Sequence, residues 1–503
     1  MVSFSEMLSQ LMEERDIRVF DLARYLGADR SSVYKIVRGT RTPSNRKMVE
    51  RIADYLCLGH AEKSDLIDSY YFTILKPNHY FASKQIVGLF NRLGQEPGGS
   101  DMPYQESWEA LTGETMSLRG SDDIQNAIYS ICMTAGQRKD KKLRIYTAGC
   151  QSVATYTLDR ICRFYPGMTV EHIVALDDMK RVRPDHRLYN ISCLGSLLPL
   201  SMRYANYHLR NIYTNIGALE NLQMHTTELV ITDEYACCFD SGLSRGFLIS
   251  NPEIRRTIVD IFGDIEADSH EFISRVPPER LFDVMKNFTY DRPDGEEEEK
   301  NCYIFTPSVC GIYLLRENDT LEERHLRLPE SEKSRFLAQF QSYLPQEKSF
   351  LQKSGMVQLC TRQGIEYFTD SGLINEFNPL CMTPLSPAER LEMLRRWRAG
   401  FDRGEVTMVD LPDLKGSAQI EVTTQAGNTI VQVPSAEGTI LMAVISEAGL
   451  ASLFLWFFEF IAKEYRMDAE NVHAFLDTCE AKLKNGIEVF PDRQAGKKNQ
   501  EVG

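Results

Sequence analysis

The sequence predicts a multidomain protein in which an all-α domain of five helices precedes a mixed α/β region. In the first 72 residues, apolar side chains recur at helical spacing, as at Leu22, Ala23 and Leu26. Beyond residue 107, short apolar strand patterns alternate with helical patterns, which is typical of α/β architecture. The length of 503 residues is sufficient for more than one domain.

Composition places the boundaries between the predicted segments. Residues 94–103 are rich in glycine and proline, as flexible linkers are, and residues 291–300 are a charged break. We predict a helical domain at 1–72, a connector helix and linker at 73–106, an α/β effector domain at 107–292, a mixed α/β carboxyl-terminal domain at 301–485, and a disordered tail at 486–503.

The helical domain is predicted from its capping residues. Ser3 and Glu6 have the spacing of a capping box and open the first helix. The second and third helices are joined by a tight turn at Gly27, and Asp29 can cap the third. Ser44 is predicted to cap the fourth helix, and a fifth helix completes the domain near residue 72.

The third helix has an apolar face and a basic, hydrogen-bonding face. Val33, Ile36 and Val37 form the inward stripe. The outward side chains are those of Arg30, Ser31, Tyr34, Lys35 and Arg38. A short helix with these two faces is suited to the major groove of DNA.

This stretch resembles the helix-turn-helix of the lambda-repressor and Cro type. The resemblance covers roughly the first 60 to 70 residues, and the family usually has a glutamine where this chain has Val19. The matching residues are Leu22, Ala23, Leu26, Gly27, Asp29 to Ser32, Val33, Ile36, Arg38, Gly39 and Pro43.

The resemblance implies two sets of DNA contacts. For Tyr34, packing against Arg30 or Arg38 is the alternative to a base contact. The residues implied to face base edges are Arg30, Ser31, Tyr34 and Lys35. Those implied to lie near the sugar-phosphate backbone are Arg38, Arg41, Thr42, Asn45 and Lys47.

Charge supports this interpretation. The chain has a net charge of −14, yet seven basic residues lie between Arg30 and Arg51 against one acidic residue, Glu50. A basic patch in an acidic chain is the pattern expected for phosphate binding. The alternative is a helical bundle that contacts only protein.

The segment 107–292 is predicted to form a mainly parallel sheet covered by helices on both faces. We expect Asp177, Asp178 and Asp233, which follow strands, to be turn or capping residues rather than a metal or phosphate site. The predicted helices are 122–134, 151–165 and 251–272, and the predicted strands are 143–147, 170–176, 211–213 and two within 228–239.

The hairpin at 228–239, residues 246–249 and the helix after Asn251 resemble the phospholipase D-like fold, which some bacterial regulators use as an effector domain. Catalytic members carry a histidine and a lysine two residues apart, followed by an aspartate. Here Thr226, Glu228 and Asp233 stand at these positions. The resemblance therefore implies a non-catalytic domain.

The remaining chain is predicted to mix helices and strands, without a visible sequence repeat of the middle segment. The apolar run 450–462 is too short to span a bilayer and is predicted to be a buried helix. The predicted helices are 328–344, 386–398, 447–465 and 472–483, and the strands or hairpins are 302–315, 357–368, 419–433 and 439–445.

Several classes of site have no pattern in the sequence. The twelve cysteines include no CxxC pair, and neither a zinc-type spacing nor a common nucleotide-binding loop occurs. We therefore expect reduced thiols, no cofactor, no metal and no catalytic residues. No signal peptide pattern opens the chain, so we expect a cytoplasmic location without membrane contact.

Together these patterns predict a sequence-specific transcriptional regulator rather than an enzyme. The expected partners are double-stranded operator DNA, a second copy of the chain in a homodimer, and a small-molecule or protein effector of unknown identity. The alternative is a nuclease or hydrolase that carries a helix-turn-helix as a targeting module, in which case Asp233 is the first residue to test.

Overall fold

The structure is a computed structural model. It describes residues 2–93, 115–138, 141–148, 152–177, 188–216, 228–277, 280, 282–283, 302–309, 325–353, 357–374, 382–411, 414, 420–425, 427–434, 439–445 and 448–489. The predicted linker at 94–103 and the charged break at 291–300 lie outside these residues. The predicted tail begins inside a helix, and its residues 490–503 lie outside them too.

The chain divides into two compact units, residues 1–85 and 86–503. The first is helical, as predicted. Its helices are α1 (Phe4–Glu14), α2 (Val19–Leu26), α3 (Arg30–Val37), α4 (Arg46–Tyr55) and α5 (His60–Ile74), followed by α6 (Pro77–Leu93), which begins in the first unit and ends in the second.

Each helix of the first unit contributes apolar side chains to one core. Leu8, Leu22, Val33, Val49 and Leu66, from α1 to α5 in turn, are at most 1% exposed. Burial of such side chains is the main stabilising term for helices this short, because isolated helices of this length are marginal in water.

The amino-terminal cap of α1 is confirmed, and that of α4 is corrected. Ser3 and Glu6 form the capping box. At α4 the cap is Asn45 and not Ser44, because the Asn45 Oδ1 accepts the backbone N–H of Met48 at 3.0 Å. The predicted cap was one residue too early.

The second unit contains an eight-stranded sheet, here called sheet A. Its strands are β1 (Thr115–Arg119), β2 (Lys142–Thr147), β3 (Thr169–Asp177), β4 (Tyr207–Thr214), β5 (Glu228–Ile231), β6 (Ala236–Phe239), β7 (Arg245–Ile249) and β8 (His270–Glu271), in the order β1-β7-β6-β5-β2-β3-β4-β8. Its helices are α7 (Gly120–Gly136), α8 (Ser152–Phe164), α9 (Tyr189–Arg203) and α10 (Pro252–Ala267).

The prediction of a mainly parallel sheet is wrong. Only β2, β3 and β4 run parallel, and every other described pairing in sheet A is antiparallel. The error arises because β5, β6 and β7 form a meander with short turns, which needs no crossover helices.

A second sheet of seven strands, sheet B, follows in the same unit. Its strands are β9 (Ile273–Val276), β10 (Tyr303–Phe305), β11 (Val357–Thr361), β12 (Val406–Val409), β13 (Glu421–Gln425), β14 (Asn428–Pro434) and β15 (Ile440–Ile445), in the order β12-β11-β10-β13-β14-β15-β9. Its helices are α11 (Glu330–Lys353), α12 (Arg362–Ser371), α13 (Pro387–Asp402), α14 (Ala448–Glu464) and α15 (Ala469–Val489).

Sheet B repeats the topology of the first seven strands of sheet A. Each of the strands β1 to β7 has a counterpart eight numbers later, and the pairings among these seven strands recur with the same parallel or antiparallel sense. The sequence shows no such repeat, because the shared features are strand order and burial rather than residue identity. Sheet B also takes its first strand, β9, from the segment predicted to belong wholly to the middle domain.

The predicted hairpin over 357–368 is wrong in its second half. β11 is a strand, but α12 follows it directly. The Thr361 Oγ1 accepts the N–H of Gly364 at 3.1 Å and caps α12, and Gly372 ends it with a φ of 70°. The apolar run at 450–462 lies in α14, where Leu450, Phe454 and Phe458 are buried. Among the described residues we find no helix that is both long and apolar enough to cross a membrane.

Candidate nucleic-acid interface

The turn between α2 and α3 sets the angle of the two helices. Gly27 ends α2 with a φ of 66°, a left-handed conformation that glycine adopts without strain. The Ala28 N–H then donates to the Ala23 carbonyl at 3.1 Å. Asp29 opens α3, since its carboxylate accepts the N–H groups of Ser31 and Ser32 at 3.0 and 3.2 Å.

The two faces of α3 follow the prediction, except that Val37, predicted to point inward, is only half-buried. Val33 and Ile36 are 1% and 3% exposed and fix the helix against the core of the first unit. The opposite face is polar and open to solvent, so it can reach a base edge or a phosphate without unfolding the helix. Its exposed side chains are Arg30, Ser31, Tyr34, Lys35 and Arg38.

The hydroxyl of Ser31 is engaged within the helix cap. It donates to the Asp29 carboxylate, and this bond together with the Ser32 N–H lowers the pKa of Asp29 below its usual value. The Ser31 oxygen can still accept a hydrogen bond. Ser31 therefore has a structural contact in addition to the implied base contact.

Tyr34 packs against Arg38, one of the two arginines named as its alternative partner. The Arg38 guanidinium carbon lies 5.3 Å from the centre of the Tyr34 ring, and the ring remains 49% exposed. A cation over an aromatic face at this distance is mildly stabilising. The contact holds both side chains on the exposed surface of α3.

The loop after α3 brings further polar groups beside this face. The Arg41 Nη1 donates to the Ser32 Oγ at 3.4 Å. Thr42 and Lys47 are exposed, and Asn45 uses its carbonyl oxygen as the cap of α4. The amide nitrogen of Asn45 remains a possible donor to phosphate.

The basic residues of this region fall into two groups. Arg46 pairs with Glu50 at 2.8 Å, and Arg51 donates to the carbonyls of Tyr25 and Leu26 at 3.2 Å. Arg51 thus holds the carboxyl end of α2. From the sequence, Arg51 was counted only as part of the basic patch, and this structural role was not predicted. Within the described part of the chain, no carboxylate forms an ion pair with four of the cations, namely Arg30, Lys35, Arg38 and Arg41.

Two of the three residues that stand at the catalytic positions of the phospholipase D-like comparison are described. Thr226 and Asp178 lie outside the described residues, and Asp233 is exposed at a turn. Glu228 is fully buried, and both its carboxylate oxygens lie 3.1 Å from the donating Ala148 N–H. Asp177 is the last residue of β3, and its carboxylate accepts the N–H of Ile216 at 3.1 Å.

Near Glu228, three buried polar side chains on the neighbouring strands β2, β3 and β4 contact one another, namely Thr147, His172 and Tyr207. The Thr147 Oγ1 lies 2.8 Å from the His172 Nε2, and the His172 Nδ1 lies 2.5 Å from the Tyr207 hydroxyl. Complete burial lowers the pKa of His172 to about 3, so the imidazole is neutral at physiological pH. In the described residues, no group of three His, Cys, Asp or Glu side chains is placed to hold a metal ion.

Comparison with known proteins assigns the first unit to a class. Residues 7–59 match the family model of the Cro/C1-type HTH DNA-binding domain. The chain therefore carries a DNA-binding helix-turn-helix domain at its amino terminus, and the matched range contains α2, α3, α4 and the implied DNA contacts from Arg30 to Lys47. No curated protein matches the chain.

Solved structures resemble the chain only distantly. A phosphatidylserine synthase from Haemophilus influenzae Rd KW20 is 10% identical, with 75% of this chain and 93% of that chain covered and a TM-score of 0.25. A polyphosphate kinase from Porphyromonas gingivalis is 9% identical, with 74% and 56% covered and a TM-score of 0.21. The archaeal chromatin protein TrmBL2 is 11% identical, with 53% and 99% covered and a TM-score of 0.21.

Proposed function

We propose that the protein is a sequence-specific transcriptional regulator that binds operator DNA through α3. The observation that carries this proposal is the exposed row of Arg30, Lys35, Arg38 and Arg41 on a helix-turn-helix in which Arg46 and Arg51 are engaged within the fold. Cations that are not ion-paired can replace the counterions of DNA phosphates.

Within this proposal the exposed residues have separate tasks. Arg30 and Lys35 read base edges, since arginine and lysine pair best with guanine O6 and N7. Arg38 and Arg41, with Thr42, Asn45 and Lys47, hold the sugar-phosphate backbone. One helix-turn-helix reads a half-site, so we propose a homodimer on a near-palindromic operator.

The α/β unit is proposed to be a non-catalytic sensing and dimerisation region with a phospholipase D-like fold. The geometry of Glu228 supports this role, because a fully buried carboxylate stands where the catalytic members have a phosphate-neutralising lysine. A carboxylate there disfavours an anionic substrate rather than attracting it.

In vitro selection from a random duplex library tests this function with the purified full-length chain. We expect an enriched inverted repeat, and the Arg30→Ala/Lys35→Ala double variant should bind that site at least about 100-fold more weakly. Arg15→Ala/Lys63→Ala is the matched control, because these cations already pair with Glu62 and Asp54. Failure to enrich any sequence, or equal binding by both double variants, contradicts the proposal.

A further inference from the structure

Sheets A and B are joined by one short stretch of chain, and a cavity lies beside it. His270–Glu271 pairs with β4 at the edge of sheet A, and Ile273–Val276 pairs with β15 at the edge of sheet B. The cavity has a volume of about 310 Å³ and is lined by residues of β3, β4, β8 and β9 and by the ends of α9 and α10. This volume lies at the lower end of the range for small-molecule sites.

The cavity is lined by charges of both signs. Arg210 and Arg275 supply guanidinium groups, and Glu171, Glu266 and Glu271 supply carboxylates. Glu171 is neutralised by Lys142, at 2.7 Å, and lies 3.5 Å from Arg144. Arg275 donates to the carbonyls of Ser201 and Tyr204. The other charged side chains of the lining are those of Arg210, Glu266 and Glu271.

These three side chains do not neutralise one another. Arg210 and Glu271 stand directly opposite each other in the β4–β8 ladder, where opposite charges normally pair. Instead the Arg210 guanidinium donates to the hydroxyl and carbonyl of Ser269, at 2.6 and 2.7 Å. Within the described residues, neither Glu266 nor Glu271 has a cationic partner, and Arg210 has no carboxylate partner.

Glu266 is also placed unfavourably for a carboxylate. It lies in the last turn of α10, where the carbonyl end of the helix carries partial negative charge. A cation bound in the cavity would offset both this interaction and the charge of Glu271. An anion beside Arg210 would use guanidinium N–H groups that Ser269 leaves available.

We propose that this cavity binds a small zwitterion of the free amino acid class. Its carboxylate binds Arg210, and its ammonium group binds Glu266 and Glu271. The role of such a ligand as the effector of the regulator rests on the proposed DNA-binding function, whereas ligand binding itself does not.

Thermal unfolding of the full-length chain, without DNA, tests the site. The probes are the twenty standard L-amino acids, each tested separately at millimolar concentration. A ligand well above its dissociation constant stabilises the folded state, so at least one amino acid should raise Tm by about 2 °C or more. The corresponding amine without the carboxylate and the acid without the amino group should each give a smaller shift.

Two variants and two controls test whether the rise in Tm comes from binding in this cavity. Glu271→Gln and Arg210→Gln should abolish the shift, with Glu271→Gln as the safer variant because its side chain is exposed and makes no ion pair in the described structure. Glu253→Gln and Arg256→Gln, exposed on α10 and outside the cavity, should keep it. The absence of a shift with all twenty amino acids, or an equal shift in Glu271→Gln and Glu253→Gln, overturns the proposal. Neither result affects the DNA-binding proposal, because no DNA is present.

Discussion

Charged side chains serve different purposes on the exposed face of α3, in the helical unit, and between α13 and α15, in the α/β unit. On α3 and the following loop, cations such as Arg30 and Lys35 face solvent, and no carboxylate of the described residues pairs with them. In the α/β unit, Arg398 lies 2.7 Å from Asp477 and 2.9 Å from Glu480, and so joins α13 to α15. The comparison shows that the number of charges is less informative than whether the fold already uses them.

Sheets A and B offer a second comparison. Extending the strand registers places Thr147 opposite Glu228 in sheet A, and Thr306 opposite Glu421 in sheet B. On the next strand, sheet A has the buried His172 near this pair, whereas sheet B has Gln358 at the equivalent position. The same strand order therefore supports different buried polar groups, so topology alone does not define a site.

The largest expected effect is a loss of stability that is confined to the α/β unit. A Cβ at Gly364 would lie 1.9 Å from the Pro307 carbonyl oxygen, so Gly364→Ala should destabilise the α/β unit by about 3 kcal/mol or more. All three tryptophans lie in residues 86–503, so tryptophan fluorescence reports the unfolding of this unit.

Gly263→Ala is the matched control for this change. Gly263 is exposed on α10 with no atom within 4 Å of an added Cβ, so alanine should stabilise α10 by about 0.5–1 kcal/mol. Equal fluorescence midpoints for the two variants would show that Gly364 is not tightly packed.

The next effect distinguishes base contacts from backbone contacts within the helical unit. Lys35→Ala should weaken operator binding by about 1–3 kcal/mol and relax the preference at one base pair. Arg41→Ala should weaken binding to all sequences alike and reduce the slope of log K against log salt by about one. Fluorescence anisotropy titrations over a range of salt concentrations measure both. An unchanged base preference in Lys35→Ala would show that Lys35 does not contact a base edge.

A smaller effect is expected at the turn of the helix-turn-helix. Gly27→Ala places a side chain at a φ of 66°, which should cost about 1 kcal/mol although nothing lies within 4 Å. Far-UV circular dichroism should show the loss in the helical unit, with the tryptophan transition unchanged. If both transitions shift together, the two units do not unfold independently.

The smallest effect concerns pH and the cap of α3. Because the pKa of Asp29 is lowered from 3.8 in the folded state, the folded chain binds fewer protons there than the unfolded chain. The stability that Asp29 contributes is therefore present above pH 3.8 and lost as pH falls below it. Asp29→Asn keeps a capping oxygen that does not titrate, so its stability relative to the native chain should rise as pH falls below 3.8. A constant difference between the two would show that this titration contributes nothing.

The helical unit was largely predictable because its information is local. Gly27, Asp29 and the stripe at Val33 and Ile36 each specify a turn, a cap or a face within a few residues. The predicted cap at Ser44 failed by one position, since serine and asparagine are both good caps and the backbone decides between them.

The α/β unit was less predictable because its pairings are long-range. The sequence indicated most of the strands but not their order, and the two sheets share that order without a visible repeat. The segment after Thr361 is apolar enough for a strand, but a cap and a left-handed Gly372 make it a helix. The cavity beside Arg210 joins residues of β3, β4, β8 and β9, and periodicity cannot reveal such a combination.

Genome-wide DNA binding in the native host tests the central claim most directly, with the native chain and the Arg30→Ala/Lys35→Ala variant expressed at equal levels. We expect discrete peaks that contain an inverted repeat for the native chain and their loss in the variant. The absence of reproducible peaks, or the same peaks for both proteins, would contradict the assignment of α3 as the reading element of a sequence-specific regulator.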